Sequence, residues 1–350
     1  MTDRIRIGVL GASGYTGSDL VRLALRHPAM EIVTLTGATQ AGRSMADVFP
    51  HLAFAPLPDL VTVDEVDWMA VDAVFCGLPH GTTQEIIAAI FAANPKAKVI
   101  DMSADFRLRN PETYREWYGH EHRALALQDE AVYGLTEHYR DAIARARLVA
   151  CPGCYPTAAL LALIPAVASG AAAPDDIVID AKSGTTGAGR SAKQNLLLAE
   201  AGEGLSPYSI AAHRHAPEME QELSVAAGRA LTVSFTPHLI PMSRGELCTA
   251  YVKLSGGASA ADLRAALASA YRDEPFVKVV AEDVIPKTQN VRGSNYVQIG
   301  VFADRIPGRA IIVSVIDNLV KGSAGQAIQN FNLMFGRVET EGLLQLPMFP

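Results

Sequence analysis

A glycine turn between a predicted strand and a predicted helix opens the chain and limits its possible folds more than any other feature. Residues 4–10 alternate charge with Ile and Val and then become apolar, as in a buried strand of a parallel sheet. Gly11-Ala-Ser-Gly-Tyr-Thr-Gly17 follows at once, and residues 19–26 have helical apolar spacing. Glycines there let the backbone approach a pyrophosphate at the amide end of the helix, which predicts a Rossmann-like dinucleotide-binding domain. A tight turn that only needs small residues is the alternative. The predicted cofactor-binding residues of the turn are Gly11, Ser13, Gly14, Tyr15, Thr16 and Gly17.

The end of the second predicted strand, residues 31–36, distinguishes between two dinucleotides. An Asp or Glu at this point would hold the ribose hydroxyl of NAD. This chain instead reads Thr36-Gly-Ala-Thr-Gln-Ala-Gly-Arg43-Ser44. Because hydroxyls and an arginine suit a 2′-phosphate, Thr36 and Arg43 predict NADP(H) as the cofactor. An ordinary polar surface loop is the alternative.

Two further buried strands are predicted at residues 71–78 and 98–102. Open parallel sheets bind ligands at the carboxyl ends of their strands, so both strand tips are expected to line the cofactor crevice. Pro79 follows the first tip and is predicted to contact the cofactor. Arg107 follows the second tip, where a guanidinium can bind a carboxylate or phosphate in a fork. An ion pair with a neighbouring aspartate is an equal alternative for Arg107.

A cysteine pair follows the strand predicted at residues 147–150. The chain continues Cys151-Pro-Gly-Cys154-Tyr-Pro and then an apolar run of helical character, residues 158–164. Pro-Gly is a turn pair, so Cys154 lies at the mouth of a helix, where the helix dipole favours the nucleophilic thiolate. Cys154 is therefore predicted to be a nucleophile, and an inert buried cysteine is the alternative. The chain has no second C-x-x-C pair to complete a zinc site, so no metal is predicted.

Two loops offer candidate partners for this cysteine. The strand predicted at residues 176–182 ends in Ser183-Gly-Thr-Thr-Gly-Ala-Gly189-Arg190, whose amides and hydroxyls suit an oxyanion or a phosphate. A plain mobile loop is the alternative there. His213 precedes Pro217 and Glu218, which predict the first turn of a helix, so this histidine lies in a loop and can exchange protons near neutral pH. A surface or satisfied core histidine is the alternative, although a lone cysteine nucleophile needs an acid–base partner elsewhere in the chain.

Several predicted strands near the carboxyl end have few helices between them, which predicts an antiparallel or mixed sheet. They are residues 231–235, 246–254, 276–280, 296–302 and 310–316, with one helix at residues 260–271. The pattern of residues 110–146 assigns no element. Asp317-Asn-Leu-Val-Lys-Gly opens a last helix that reaches about residue 335, and its glycine-rich mouth could face the nicotinamide. Asn318 and Gln326 are the predicted contacts, and a simple capped helix is the alternative.

Length and charge bound the class of protein. With 350 residues, the chain is predicted to have a dinucleotide-binding domain at 1–150, a catalytic and dimerisation domain at 151–322, and a terminal helix in 323–350 that packs back on the first domain. A formal net charge of -7 argues against a nucleic-acid binder. No apolar run reaches the ~20 residues of a membrane span, so no membrane partner is expected. Four cysteines are too few for a disulfide framework and favour a reducing, cytoplasmic location.

Six sequence blocks together resemble the N-acetyl-gamma-glutamyl-phosphate reductase family, in that family's order and over nearly the whole chain. The most specific block is Val149-Ala-Cys-Pro-Gly-Cys-Tyr-Pro-Thr-Ala, with Ala162-Leu163 and Pro165 after it. The others are Gly11-Ala-Ser-Gly-Tyr-Thr-Gly17, Asp105-Phe-Arg107, Lys182-Ser-Gly184, His213-Arg-His-x-Pro-Glu218 and Asp317-Asn-Leu-Val-Lys-Gly.

The resemblance implies a fold, a reaction and residue roles. The fold would pair the Rossmann-like domain with a mixed-sheet catalytic domain of the semialdehyde dehydrogenase type. The reaction would be the third dedicated step of arginine biosynthesis, in which NADPH reduces N-acetyl-glutamyl 5-phosphate to the semialdehyde through a thioester on Cys154. His213 would move the proton, and Arg107, Ser183, Gly184 and His215 would bind the substrate. The family is cytoplasmic in bacteria and forms homo-oligomers, usually homotetramers, with a homodimer as the smaller possibility.

Three alternatives stay open at this point. A relative that reduces aminoadipyl phosphate in carrier-linked lysine synthesis shares the cysteine signature. A relative that reduces aspartyl phosphate is a weak rival, because its cysteine lies in an Asn-Cys-type block. A non-catalytic NADP-binding regulator would be expected to lose the nucleophile or its histidine, whereas Cys154 and His213 are both present.

Overall fold

The computed structural model describes residues 4–350, which divide into two compact units. The first unit contains the described residues up to Pro152 together with Ser323–Leu344. The second contains Gly153–Gly322 together with Gln345–Pro350. This division reflects which residues contact one another. The predicted domains 1–150, 151–322 and 323–350 stay a prediction.

The first unit is built on a seven-stranded sheet in which every neighbouring pair of strands is parallel. Its strands are β1 (Ile5–Leu10), β2 (Met30–Thr36), β3 (Leu60–Val61), β4 (Ala73–Cys76), β5 (Lys98–Asp101), β6 (Val132–Tyr133) and β7 (Leu148–Ala150). Their order across the sheet is β3-β2-β1-β4-β5-β7-β6. The order therefore reverses direction next to β1, which is the point where such sheets bind ligands at the carboxyl ends of their strands.

Six helices belong to the first part of this unit. They are α1 (Tyr15–Ala24), α2 (Met45–Val48), α3 (Thr83–Ala93), α4 (Pro111–Tyr118), α5 (Leu125–Glu130) and α6 (Thr136–Arg145). Three of them fill residues 110–146, to which the sequence pattern assigned no element. The start of α4 has a clear local cause, because Asn110 accepts hydrogen bonds from Glu112 N and Thr113 N and Pro111 takes the first helical position.

The second unit holds a seven-stranded mixed sheet. Its strands are β8 (Val178–Gly184), β9 (Ser206–Pro207), β10 (Ser234–Ile240), β11 (Glu246–Lys253), β12 (Val277–Val279), β13 (Val297–Ala303) and β14 (Arg309–Ile316). The order is β12-β13-β14-β11-β8-β10-β9, with β8–β10 and β12–β13 parallel and the other pairs antiparallel. Its helices are α7 (Cys154–Ala168), α8 (Leu198–Ala201), α9 (Ala216–Ala227) and α10 (Ala260–Ala270). Helix α7 is apolar on almost every side because it packs against α9, α10, β11 and β14.

One predicted strand, residues 231–235, was wrong in position. The strand starts at Ser234 and runs to Ile240 as β10. Leu231 N donates instead to Ser224 Oγ at 3.1 Å, and Val233 N donates to Glu220 Oε1 at 3.1 Å. Side chains of α9 therefore satisfy the backbone where the apolar pattern predicted a sheet ladder.

The last helix, α11 (Gly325–Met334), begins later than the predicted start near residue 317. A wider π-type turn covers Val320–Ala324 before the regular helix begins. Within the first unit α11 packs against α1, α6 and β5. None of the helices described over residues 4–350 is both long and apolar enough to cross a membrane.

Candidate active site

The turn between β1 and α1 requires glycine at two positions. Gly11 has φ +76°, and a Cβ there would lie 2.5 Å from Gly77 O. A Cβ on Gly17 would lie 2.4 Å from Gly11 O, although Gly17 itself is helical. Gly14 is the residue before α1, so the helix begins at Tyr15 rather than at the predicted residue 19. The turn thus leaves no room for side chains between the strand and the helix, as a backbone that approaches a phosphate needs.

Thr36 and Arg43 make different contacts at the end of β2. Thr36 is buried, its Oγ1 accepts from Gly11 N at 3.1 Å, and its carbonyl accepts from Ala12 N at 2.8 Å. Thr36 therefore holds the glycine turn in place. Arg43 is exposed, and its guanidinium donates to Gln40 Oε1 at 2.6 Å and to Asp47 O at 3.2 Å. Both residues stay predicted cofactor contacts.

Pro79 lies in a loop after β4 that a buried aspartate organises. Asp105 accepts from Gly81 N at 2.7 Å, from Thr83 Oγ1 at 2.7 Å, and from the hydroxyl of Tyr114 at 3.0 Å. The Pro79 carbonyl accepts from Thr82 Oγ1 at 2.6 Å. The carboxylate of Asp105 therefore holds the loop at this strand tip in place.

Arg107 is 6% exposed, and the structure ties it to backbone carbonyls. Its Nε donates to Cys151 O at 2.8 Å, and its Nη2 donates to Met102 O at 3.0 Å. These bonds fix the chain just before the cysteine turn. The role of Arg107 as a substrate ligand stays a prediction.

The two amides predicted to contact the nicotinamide both hold protein backbone. In the first unit, Gln326 Nε2 donates to Gly134 O at 2.9 Å and to Thr136 Oγ1 at 2.6 Å. In the second unit, Asn318 Oδ1 accepts from Gly245 N at 2.9 Å, and Asn318 Nδ2 donates to Thr186 Oγ1 at 3.0 Å. Their cofactor role stays a prediction.

Cys154 is the first residue of α7 and is half-buried. The residue before it, Gly153, donates its N–H to Glu218 Oε1 at 2.8 Å, and Glu218 is 1% exposed. On the other side a Cβ on Gly322 would lie 2.8 Å from the Cβ of Cys154. The thiol therefore lies at the positive end of a buried helix, with its backbone anchored on one side and a glycine pressed against it on the other.

Two histidines lie beside the cysteine turn, with ring centroids 5.8 and 6.0 Å from that of Tyr155. A Cβ on Gly153 would lie 2.3 Å from Nε2 of His215, so this ring packs directly on the residue before Cys154. His213 Nδ1 accepts from His215 N at 3.2 Å. Aromatic rings surround His213 with centroids 5.4 to 5.8 Å away, from Tyr155, Tyr208 and Phe235. Burial, with a smaller effect from the charge of Arg214, lowers the pKa of His213 to about 4, so this imidazole is neutral at neutral pH.

Ser183 and Gly184 end β8 next to a carboxylate that sequence reasoning missed. Ser183 is 3% exposed, and a Cβ on Gly184 would lie 2.7 Å from Met242 O. Glu246 begins the neighbouring strand β11 directly opposite Ser183 and is 0% exposed. Burial raises the pKa of Glu246 to about 8, although the side chains of Cys154 and Ser183 lower it in part. A signal did exist, because strand alternation puts Glu246 on the same face as the apolar residues Cys248, Ala250 and Val252.

No three His, Cys, Asp or Glu side chains among residues 4–350 are grouped so that they could hold a metal ion. The cysteines at 76, 151, 154 and 248 are all described, and none of them forms a disulfide.

Comparisons with known proteins match the chain along its whole length. Residues 6–146 match the family described as semialdehyde dehydrogenase, NAD binding domain, and residues 154–318 match semialdehyde dehydrogenase, dimerisation domain. An N-acetyl-gamma-glutamyl-phosphate reductase from Rhodospirillum rubrum is 56% identical over 100% of both chains. A probable chloroplastic N-acetyl-gamma-glutamyl-phosphate reductase from Arabidopsis thaliana is 56% identical over 99% of this chain and 86% of its own. The chain belongs to the N-acetyl-gamma-glutamyl-phosphate reductase family.

Solved structures show the fold of this reductase family member independently. An aspartate semialdehyde dehydrogenase II from Vibrio cholerae has a TM-score of 0.73 and 17% identity, over 95% of this chain and 99% of its own. An aspartate semialdehyde dehydrogenase with NADP from Candida albicans has a TM-score of 0.68 and 16% identity, over 95% and 99%. The predicted fold class is confirmed, with a Rossmann-like parallel sheet and a second, mixed sheet. The reductase has a nicotinamide dinucleotide-binding domain, and its dimerisation domain indicates a homo-oligomer.

Proposed function

We propose that the chain reduces N-acetyl-L-glutamyl 5-phosphate to N-acetyl-L-glutamate 5-semialdehyde and phosphate, as a step of arginine biosynthesis. The substrate assignment rests on full-length relatives at 50–56% identity that carry this reaction in their name. Nothing favours the aminoadipyl alternative. The single structural observation that supports the chemistry is Cys154 at the amino end of a buried helix, with the ring of His215 packed on the preceding glycine.

The dinucleotide would be held by the turn from Gly11 to Gly17. The turn suits a dinucleotide because a Cβ on Gly11 or Gly17 would lie within about 2.5 Å of a backbone oxygen, so the strand and the helix pack closely, as this kind of phosphate-binding turn needs. When bound, the dinucleotide supplies the hydride that reduces the substrate carbonyl. We propose NADP(H) in preference to NAD(H), because Arg43 stands beyond β2 where an acidic residue would suit NAD.

Cys154 would act as the nucleophile. Its thiolate attacks the acyl carbon, the bond from carbon to the phosphate oxygen breaks, and phosphate leaves with the electron pair. The product is a thioester on Cys154, which accepts hydride more readily than a carboxylate does. The backbone N–H groups at the start of α7 would stabilise the oxyanion that forms at each tetrahedral stage. After reduction, cleavage of the carbon–sulfur bond releases the aldehyde and restores the thiolate.

The two histidines would transfer protons to and from the substrate carbonyl oxygen during these reaction steps. His213 is the sequence-predicted acid–base residue, but its lowered pKa keeps it neutral at neutral pH. His215 packs on Gly153, and its backbone N–H donates to His213 Nδ1. We therefore extend the proposed proton-transfer role from His213 alone to both rings. Ser183, Gly184 and Arg107 remain proposed ligands of the phosphate or carboxylate.

A homodimer or homotetramer is proposed as the working form. Strands β11 and β14 alternate buried residues with partly exposed apolar ones, namely Leu247, Tyr251, Ile311 and Val313. Such an apolar sheet face suits contact with a second copy. A cytoplasmic location is also proposed, because none of the four cysteines, all of which are described, forms a disulfide.

The proposed reaction is tested most directly in reverse. The purified chain should reduce NADP⁺ when it is given N-acetylglutamate semialdehyde and inorganic phosphate, and the reaction should stop when phosphate is omitted, because the thioester then has no acceptor. Aminoadipate semialdehyde in its carrier-linked form is the matched comparison. Equal or greater activity with that substrate, or activity that does not depend on phosphate, would contradict the proposal.

Arg43→Ala is expected to weaken the binding of NADPH but not that of NADH. Removal of a charge-assisted contact to the 2′-phosphate should raise KM for NADPH by roughly tenfold and leave KM for NADH unchanged. Arg26→Ala, at an exposed arginine after α1, is the control and should change neither value. Equal effects of Arg43→Ala on KM for both cofactors would show that the arginine does not bind the 2′-phosphate.

A further inference from the structure

Glu246 is a fully buried carboxylate that the mechanism above does not use. It is 0% exposed, and among the described residues no donor meets either of its oxygens with hydrogen-bond geometry. A buried carboxyl group without such partners costs free energy, and it costs far more when it is charged. Its position at the start of β11, between the sheet and α7, therefore calls for a physical reason.

The surroundings of Glu246 form a small cluster in the second unit. Ser183 lies directly opposite it across the β8–β11 ladder, and the thiol of Cys154 lies close enough to lower the pKa of the carboxyl group. The hydroxyl of Ser183 makes a long contact of 3.4 Å to Gly184 O, and it also lowers the pKa of Glu246 through a hydrogen bond. The cluster therefore combines one nucleophile, one hydroxyl and one buried carboxyl group.

Other ionisable groups face this cluster, and they differ in charge. The charge of Asp317 raises the pKa of Glu246, and Arg244 approaches Asp317 at 3.5 Å. Burial raises the pKa of three further groups that feel the Glu246 charge far above the neutral range, so they stay uncharged. These groups are Tyr155, Tyr208 and Cys248.

Burial brings the carboxyl group of Glu246 into the range where it can hold a proton. It raises the pKa of Glu246 to about 8, with Cys154 and Ser183 lowering it and Asp317 raising it. Two ionisable groups that interact titrate as a pair, and one proton can lie on either.

We propose that Cys154 and Glu246 share one proton, and that Glu246 is the positioning residue that holds this proton while the sulfur is a thiolate. The inference rests on the proposed function, because it assigns the resting proton of the proposed nucleophile. The S–H bond of Cys154 breaks and an O–H bond forms on Glu246. The sulfur lone pair then attacks the acyl carbon, phosphate leaves with its electron pair, and the proton stays on Glu246 until the thiolate is restored.

This arrangement gives the buried carboxyl group a state in which it carries no charge. A carboxylic acid donates a hydrogen bond to the thiolate, whereas a carboxylate would repel it. The carboxyl group has no exposed surface, and the nucleophile lies beside it. It therefore acts through Cys154.

The test is the rate of Cys154 alkylation by iodoacetamide from pH 6 to pH 10, read by mass spectrometry of the peptide that contains Cys154. In the native chain the rate should rise in two steps, since the pair has two macroscopic pKa values. In Glu246→Gln it should rise in a single step and be at least several-fold slower at pH 7, because an amide cannot take the proton. The two proteins should react at similar rates at pH 10. Identical profiles for the native chain and Glu246→Gln would overturn the proposal.

Two further variants complete the experiment. Glu220→Gln removes another carboxyl group of the second unit whose pKa burial raises, so its alkylation profile should remain native. Glu246→Asp keeps a titratable group and should keep two steps with a displaced lower midpoint, which decides the question if Glu246→Gln does not fold. A native profile in Glu246→Asp would overturn the proposal in that case. Alkylation does not depend on turnover. Its result can therefore be interpreted even if the chain does not catalyse the proposed reaction.

Discussion

Cys154→Ser is expected to lower the rate of acyl-phosphate reduction by about 10⁴-fold or more while dinucleotide binding stays native. A serine hydroxyl at the same helix end does not ionise near neutral pH, so the attacking anion and the thioester are both lost. Two measurements check this result. Rapid-quench mixing with acyl phosphate should trap an acylated native protein and an unmodified variant, and cofactor fluorescence titration should give the same Kd for both.

The matched control is Cys151→Ser, in the other cysteine of the same turn. Burial raises the pKa of Cys151 to about 12, so this thiol is not a nucleophile at neutral pH. Its Sγ accepts from Asn330 Nδ2 at 3.5 Å, and a serine oxygen can accept the same bond. Turnover should therefore change only a few-fold. A Cys154→Ser enzyme that turned over at the native rate would rule out the covalent route.

His213→Asn and His215→Asn are each expected to lower kcat by about 10²-fold or more with the fold intact. The reason is that one ring packs on Gly153 and the other accepts the backbone N–H of the first. The pH profile should separate their roles. Because burial lowers the pKa of His213 to about 4, this ring stays neutral as the pH falls through 6.5 and becomes charged only near pH 4. An acid limb of kcat near pH 4 would therefore belong to His213.

His51→Asn serves as the control for both histidines, because His51 is exposed in the first unit and should leave kcat and its pH profile unchanged. Circular dichroism of all three variants separates lost chemistry from lost folding. Native kcat in both His213→Asn and His215→Asn would remove the pair from the mechanism. Unfolding of His213→Asn would favour the reading of a core histidine.

The parts of the fold that sequence predicted well depend on local patterns. The β1 strand and the turn before α1 were predictable because buried parallel strands are continuously apolar and close backbone approach requires glycine. Helix α7 was predictable because its apolar run exceeds the length of a strand. The strand near residue 231 was not, since side chains of α9 capture backbone groups that local propensity assigns to a sheet.

The candidate site shows the same limit more sharply. Cys154 and His213 were predicted as candidates from their own local settings, and their roles stay predictions. Glu246 was not, because its meaning depends on Ser183 across a ladder and on Cys154 from a helix ninety-two positions away in sequence. Arg107 was foreseen as a ligand or an ion-pair partner, yet the structure has it holding the carbonyls of Cys151 and Met102. Partners distant in the chain decide such roles, and no local spacing encodes them.

The return of α11 to the first unit has a consequence for biosynthesis. Phe331 of this helix is fully buried and packs against Phe75 with ring centroids 5.6 Å apart. The ribosome makes α11 after Gly153–Gly322, so the parallel sheet of the first unit must wait with part of its apolar surface uncovered while the intervening unit is translated. Chaperone demand during synthesis should therefore fall on that sheet.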